Sequence, residues 1–217
     1  MKKHFILLVL LLFFKQTILK SQVNCAFTAS VISGCAPLVV SFQDQSTGAS
    51  TFYWDFDYGG NSSSLKNASA NYPPPGIYNV MHVAFNGTVS DTVYKQIRVF
   101  QPPSANFMAP DKEGCNNPCH LVHLTNQTIL GESAVADSNY VWNFGDGSLP
   151  ESGHNITHCY NLVGSYNVTL IALDNNGCQV SKTLPNYVVI GQSPTATATA
   201  NPTQSCLATQ LINFSGS

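Results

Sequence analysis

Hydrophobic and polar residues alternate along most of the chain. In Tyr53-Trp54-Asp55-Phe56 a period of two sends Trp54 and Phe56 to one face, and Tyr53 and Asp55 to the other. Trp142 and Phe144 do the same around Asn143. Tyr78, Val80 and Ala84 share a face, as do Tyr166, Val168, Leu170 and Ala172, while Asn79, Asn167 and Thr169 point the other way. The segments Val39–Phe42, Phe52–Phe56, Tyr78–Phe85 and Val89–Val99 are rich in β-branched and aromatic residues and are bounded by turn formers, which predicts strands. No stretch beyond the N-terminal segment keeps a helical apolar period. Many short alternating strands predict an all-β fold of antiparallel β-sandwiches.

The pattern also repeats. Trp54 and Trp142 are 88 residues apart, and that offset holds without a gap to Val80 and Val168, with ten identities in 27 positions. They are Trp, Phe, Gly, Ser, Asn, Tyr, Gly, Tyr, Asn and Val at 54/142, 56/144, 59/147, 64/152, 67/155, 72/160, 76/164, 78/166, 79/167 and 80/168. A third beginning follows at Cys206, Leu211, Ile212 and Phe214. The expected organisation is a unit over residues 24–101, a second over 104–192 and an incomplete third over 193–217. Pro-containing junctions at 101–103 and 192–194 read as short semi-rigid spacers.

The first residues have a different character. Lys2, Lys3 and His4 precede ten apolar residues, Phe5 to Phe14, too few to cross a hydrocarbon core. They fit a secretory signal peptide over residues 1–21. Its removal takes four of the nine cations, leaving five against eleven acids, a formal charge of −6. Charged residues are only 9% of the chain and the cations do not cluster, which excludes a nucleic-acid surface.

The second unit carries Trp142-Asn143-Phe144-Gly145-Asp146-Gly147, then His158-Cys159-Tyr160, then Gly164-Ser165-Tyr166-Asn167-Val168. This succession resembles the PKD (polycystic kidney disease) domain, whose pattern runs W-x-F-G-D-G, H-x-Y and G-x-Y-x-V. The first unit is similar to a diverged member. Trp54, Phe56, Tyr72, Gly76, Tyr78 and Val80 keep their places, Asp57-Tyr58 replaces the Gly-Asp, and Ala70 stands where the His would be. Its loop after Phe56 is therefore expected to be longer or differently shaped. The resemblance covers residues 24–192 and looks like that of arrays in secreted and surface proteins of Bacteroidetes-type bacteria.

The resemblance implies tandem immunoglobulin-like sandwiches, each with a core Trp and a tyrosine corner. Val80 and Val168 occupy the place of the antibody cysteine, so these are not antibody-type domains. His158 is then a packing residue near the Trp. The resemblance also implies a non-catalytic extracellular spacer and adhesion module that meets protein or polysaccharide at the cell surface, with no transmembrane segment in the mature chain. The alternative is an accessory region of a secreted hydrolase, such as a protease or chitinase, whose catalytic domain is not in this chain. Tyr53, Tyr58 and Tyr140 are the aromatics that would stack on sugar rings.

Candidate chemistry is sparse. Asp55, Asp57 and Asp146 could serve as paired carboxylates for glycoside hydrolysis, but they occupy equivalent turn positions in separate repeats and read as turn formers. Local contexts for a nucleophilic triad, a P-loop or a dinucleotide fingerprint are absent. Cys115, Cys119, His120 and His123 have zinc-like spacing, yet the two His would alternate faces on a strand and exported thiols oxidise. No cofactor is expected from these motifs; the resemblance leaves room for calcium near Asp111 or Asp174-Asn175-Asn176. His82 aligns with Leu170 and reads as a hydrogen-bonded core histidine. Of the seven cysteines, Cys25 and Cys35 could close a small loop. Cys115, Cys119, Cys159 and Cys178 allow three pairings. Family resemblance suggests Cys115 with Cys178, leaving Cys119 with Cys159 and Cys206 unpartnered.

Overall fold

The computed structural model describes residues 22–193, 198–201 and 213–216. The expected signal segment, residues 1–21, lies outside them, as do Cys206 and most of the third repeat. The chain divides into two compact units at Gln101/Pro102.

The first unit contains β1 (Phe27–Ala29), β2 (Ser33–Cys35), β3 (Leu38–Asp44), β4 (Thr51–Asp55), β5 (Ser62–Ser63), β6 (Ala68–Tyr72), β7 (Gly76–Phe85) and β8 (Ser90–Phe100). One sheet has the order β1-β3-β6 and the other β2-β8-β7-β4-β5. The second unit contains β9 (Phe107–Met108), β10 (Glu113–Cys115), β11 (His120–Asn126), β12 (Tyr140–Asn143), β13 (Glu151–Ser152), β14 (Ile156–Tyr160), β15 (Gly164–Leu173) and β16 (Gln179–Gly191). Its sheets are β9-β11-β14 and β10-β16-β15-β12-β13, the same order strand for strand. A pair outside both sandwiches, β17 (Ala198–Asn201) and β18 (Asn213–Gly216), runs antiparallel.

Each unit is an all-β, immunoglobulin-like sandwich. The pairing is antiparallel except at one edge, where β2 runs parallel to β8 and β10 parallel to β16. Alternation builds the cores. Val40 and Phe42 from one sheet of the first unit meet Trp54, Val80, Ile97 and Val99 from the other, all at most 1% exposed. Val122, Leu124, Trp142, Val168, Leu170 and Val188 do the same in the second. Burying a Trp removes roughly 200 Å² from water, worth about 5 kcal/mol. In both units polar side chains share the outward positions with exposed apolar ones such as Val39, Ile77 and Leu121.

Candidate functional site

The motif residues form one framework, built twice. The indole Nε1 of Trp54 donates to the Leu65 carbonyl at 2.8 Å, and that of Trp142 to the Gly153 carbonyl at 2.8 Å. Tyr72 and Tyr160 donate their hydroxyls to the carbonyls of Phe56 (3.2 Å) and Phe144 (3.0 Å). Burial pushes both hydroxyls well above the ordinary tyrosine range, so they remain donors. Tyr78 and Tyr166 reach back four residues, to the carbonyls of Pro74 (2.9 Å) and Leu162 (2.8 Å), as a tyrosine corner does. Gly76 and Gly164 start β7 and β15 close against those two rings. Asn67 and Asn155 accept the backbone N–H of Asp44 (3.0 Å) and Asn126 (2.9 Å), so that repeat identity tethers one sheet to the neighbouring loop.

The turn after the Trp strand has the same length in both units, since Trp54 pairs with Ser63 and Trp142 with Glu151. The loop in the first unit is therefore not longer, but it is differently shaped, with Gly60 at φ +72° where the second unit has Ser148 and with Asn61 N–H donating to the Tyr58 carbonyl at 3.0 Å. Gly145 has φ +77°, and a Cβ there would lie 2.3 Å from the Asn167 carbonyl oxygen. Asp57 takes the matching position at φ 55°, and its carboxylate accepts the Asn79 N–H at 2.9 Å. Asp55 accepts the Asp57 N–H at 2.9 Å, and Asp146 accepts the Ser148 N–H at 3.0 Å. All three candidate carboxylates thus hold turns, and Gly147 completes the second with φ +87°.

Two histidine–aspartate pairs differ between the units. In the first, His82 Nε2 donates to Asp44 Oδ1 at 2.9 Å with both side chains at most 1% exposed. The imidazole lies on Trp54, centroids 3.6 Å apart at 15°. Burial opposes the Asp44 charge, but hydrogen bonds from Ser46 and His82 outweigh it and hold the carboxyl below its usual range. At these two places the second unit has Leu170 and Asn126. Its own pair lies on the rim, where His158 Nε2 donates to Asp146 Oδ2 at 2.7 Å. The imidazole is stacked on Phe144 rather than on the Trp, at 3.7 Å and 4°. Asp146 is likewise held low, its burial outweighed by His158 and Ser148.

The cysteines require corrections. Cys119 and Cys159 form a disulfide with Cα atoms 5.7 Å apart. Cys25 and Cys115 are free thiols, Cys25 buried and Cys115 exposed, so neither Cys25–Cys35 nor Cys115–Cys178 exists. The reason is the same in both units. Cys25 bonds Asp91 at the start of β8, whereas Cys35 pairs with Phe100 at its end, roughly 30 Å along the strand. Cys178 directly precedes β16 and Cys115 pairs with Gly191 at its far end, roughly 40 Å away. A disulfide tolerates about 7 Å at most. Cys35 and Cys178 are disulfide-bonded, each to a partner other than the expected one.

The residues with zinc-like spacing are otherwise engaged. Cys119 is in its disulfide, His120 Nε2 meets the Asp111 carbonyl at 2.7 Å, and His123 Nδ1 pairs with the Asp111 carboxylate. Buried Asp174 shapes the β15–β16 hairpin, accepting the N–H groups of Asn176 (2.9 Å) and Cys178 (2.8 Å) on one oxygen.

Two surfaces of the first unit are open. On the outer face of its larger sheet, Tyr53 pairs with Val83, and Met81 pairs with both Asp55 and Tyr94. Tyr53 is 43% exposed and Tyr94 62%. The rings are two strands and two residues apart, about 12 Å. The second unit places Val141, Ile171 and Thr183 on the corresponding face, without an aromatic. Tyr94 was not singled out from the sequence, because only the register with Met81 reveals its face. Of the other predicted aromatics, Tyr58 is half-buried against Tyr72 and Tyr78. Tyr140 is 2% exposed, in the core two residues before Trp142. The second open surface is a cavity of about 390 Å³ between edge strands β5 and β6, lined by residues that include Phe56, Tyr58, Ala70 and Asn71.

Among the described residues no helix is long and apolar enough to cross a membrane. In solved structures the chain is similar to carbohydrate-binding modules of the β-sandwich superfamily, at 15% identity over 71% of this chain and 56% of that one, TM-score 0.37. It is similar to fibronectin(III)-like modules of Clostridium thermocellum CbhA, at 15% identity over 76% and 95%, TM-score 0.38. It is also similar to a C-terminal 282-residue fragment of intimin in complex with the translocated intimin receptor's intimin-binding domain, at 9% identity over 84% and 68%, TM-score 0.44. The family comparison is specific: residues 101–190, which include β9 to β15 and all of β16 but Gly191, match the model of the PKD domain.

Proposed function

We propose that the chain is a non-catalytic module of a secreted or surface protein, spacing and adhering, and that its first unit contacts polysaccharide. The observation that carries this reading is the pair Tyr53 and Tyr94, exposed on one flat sheet face with Met81 between them. Water gains little by covering such rings, and the apolar face of a sugar ring stacks on them while Asn79, Gln96 and Thr92 on the same face supply hydrogen bonds. The match to the PKD domain and the Cys119–Cys159 disulfide support a place in an oxidising compartment. The histidines and aspartates of the framework serve packing and turns, which fits adhesion better than catalysis.

Retention of the full chain on immobilised polysaccharides and on extracellular proteins tests the reading. Retention on at least one polysaccharide is expected. Retention on protein alone would replace the polysaccharide by a protein partner, and no retention at all would leave only the spacing role.

A further inference from the structure

In the second unit one ring closes the seam where the two sheets part at their edge. His158 lies flat on Phe144, stands edge-on to Tyr160 at 4.8 Å and is tied to Asp146. At the matching positions the first unit has Ala70, Phe56, Tyr72 and Tyr58. Ring and carboxylate are both missing there. Tyr58 swings against Tyr72 and Tyr78, at 6.2 and 5.9 Å, and leaves the space beside Ala70 unfilled. The cavity of about 390 Å³ opens at this place, and Phe56, Tyr58 and Ala70, the three counterparts of the stack, all line it. Its volume falls within the ~300–1,000 Å³ of small-ligand sites.

The lining specifies the ligand chemistry. Tyr58 gives an aromatic wall, Ala70 gives a methyl floor, and the buried edge of Phe56 closes the bottom. Asn61 adds an amide, and the backbones of edge strands β5 and β6 at Ser62, Ser69 and Asn71 add N–H and C=O groups, their side chains turned outward by alternation. No Asp, Glu, Lys, Arg or His lines the space, so neither an anion nor a cation finds a countercharge. A ligand that fits has an apolar face for the Tyr58 ring and several neutral hydroxyls for Asn61 and for the edge backbone that no described strand pairs.

We infer that this seam cavity binds one neutral sugar residue, free or at the end of a glycan. The site is separate from the Tyr53–Tyr94 face and deepens the proposed function, resting on it only for the setting in which sugars are met.

The test is an NMR titration of the full chain with glucose, galactose, mannose and N-acetylglucosamine, each to about 50 mM, which detects a Kd of about 1–10 mM. At least one sugar is expected to shift the amide signals of Ser69 to Tyr72 together with Asn61 and Ser62. Ala70→His, which installs the ring the second unit already accommodates, should weaken binding tenfold or more, with the melting curve confirming a folded chain. Oligosaccharides of the same sugar separate the two sources: tighter binding than the monosaccharide identifies a glycan end, equal binding a free sugar. The inference is overturned if no sugar moves the seam signals, or if binding survives Ala70→His. Polysaccharide retention with a silent seam overturns the cavity and leaves the sheet face standing. Seam shifts without retention sink the sheet face alone.

Discussion

The first and second units share strand order, turn length and the Trp–Tyr framework, yet they place a ring-stacked histidine–aspartate pair in different layers. The first puts His82 and Asp44 in the core and leaves its rim open at Ala70. The second fills those core places with Leu170 and Asn126 and closes its rim with His158 and Asp146. Both solutions keep an imidazole flat on an aromatic ring, at 3.6 and 3.7 Å. The sandwich therefore constrains shape and stacking rather than polarity, although Asp44 Oδ2 is buried without a hydrogen bond among the described residues. In the proposed function the unit with the closed rim supports, and the one with an open rim and an aromatic outer face makes the contact.

The largest expected effect comes from breaking the core pair. His82→Leu alone leaves the Asp44 carboxylate buried without its imidazole partner and should destabilise the first unit by about 3–5 kcal/mol in chemical denaturation. Adding Asp44→Asn, the residue of the second unit, should recover most of that loss, because the Asn carbonyl can still accept the Ser46 N–H as Asn126 accepts Thr128. If the double variant is as unstable as the single one, the two cores are not interchangeable.

Next in size is the turn. Gly145→Ala forces a side chain into positive φ and against the Asn167 carbonyl, which should cost about 2 kcal/mol or more. Asp57→Gly at the matching turn relieves strain but loses the bond to Asn79, so its stability should stay within about 1 kcal/mol of wild type.

Acid titration gives a smaller effect. The Asp44 and Asp146 carboxyls are held below their usual value of 3.8 in the folded chain. Their stabilisation is then complete above the unfolded range and is lost as pH falls through the lowered folded values. Stability measured from pH 5 down to pH 2 should fall, and less steeply in the Asp44→Asn/His82→Leu variant. An equal slope would mean that the core pair contributes nothing to the acid response.

Much of the framework could be read from the residues. The period of two and the 88-residue offset located Trp54, Trp142 and their tyrosines because those signals are local or repeated. The partner of His82 was not legible, because Asp44 is 38 residues away and in the other sheet. Tyr140 was legible in principle, since the parity that buries Trp142 also buries the residue two places before it. Of the cysteine pairings Cys119–Cys159 held, whereas Cys25–Cys35 and Cys115–Cys178 failed, because spacing says nothing about which end of a long strand each residue meets. Tyr94 and the Ala70 cavity needed, respectively, a strand register and a comparison with the ring that fills the other unit.

Converting the first unit's outer face into the second's tests the central contrast most directly. Tyr53→Val with Tyr94→Thr installs the residues found at Val141 and Thr183, and both positions face solvent. The account predicts an unchanged melting curve and at least a tenfold loss of retention on the polysaccharide that holds the wild-type chain. Undiminished retention by the folded double variant would contradict it.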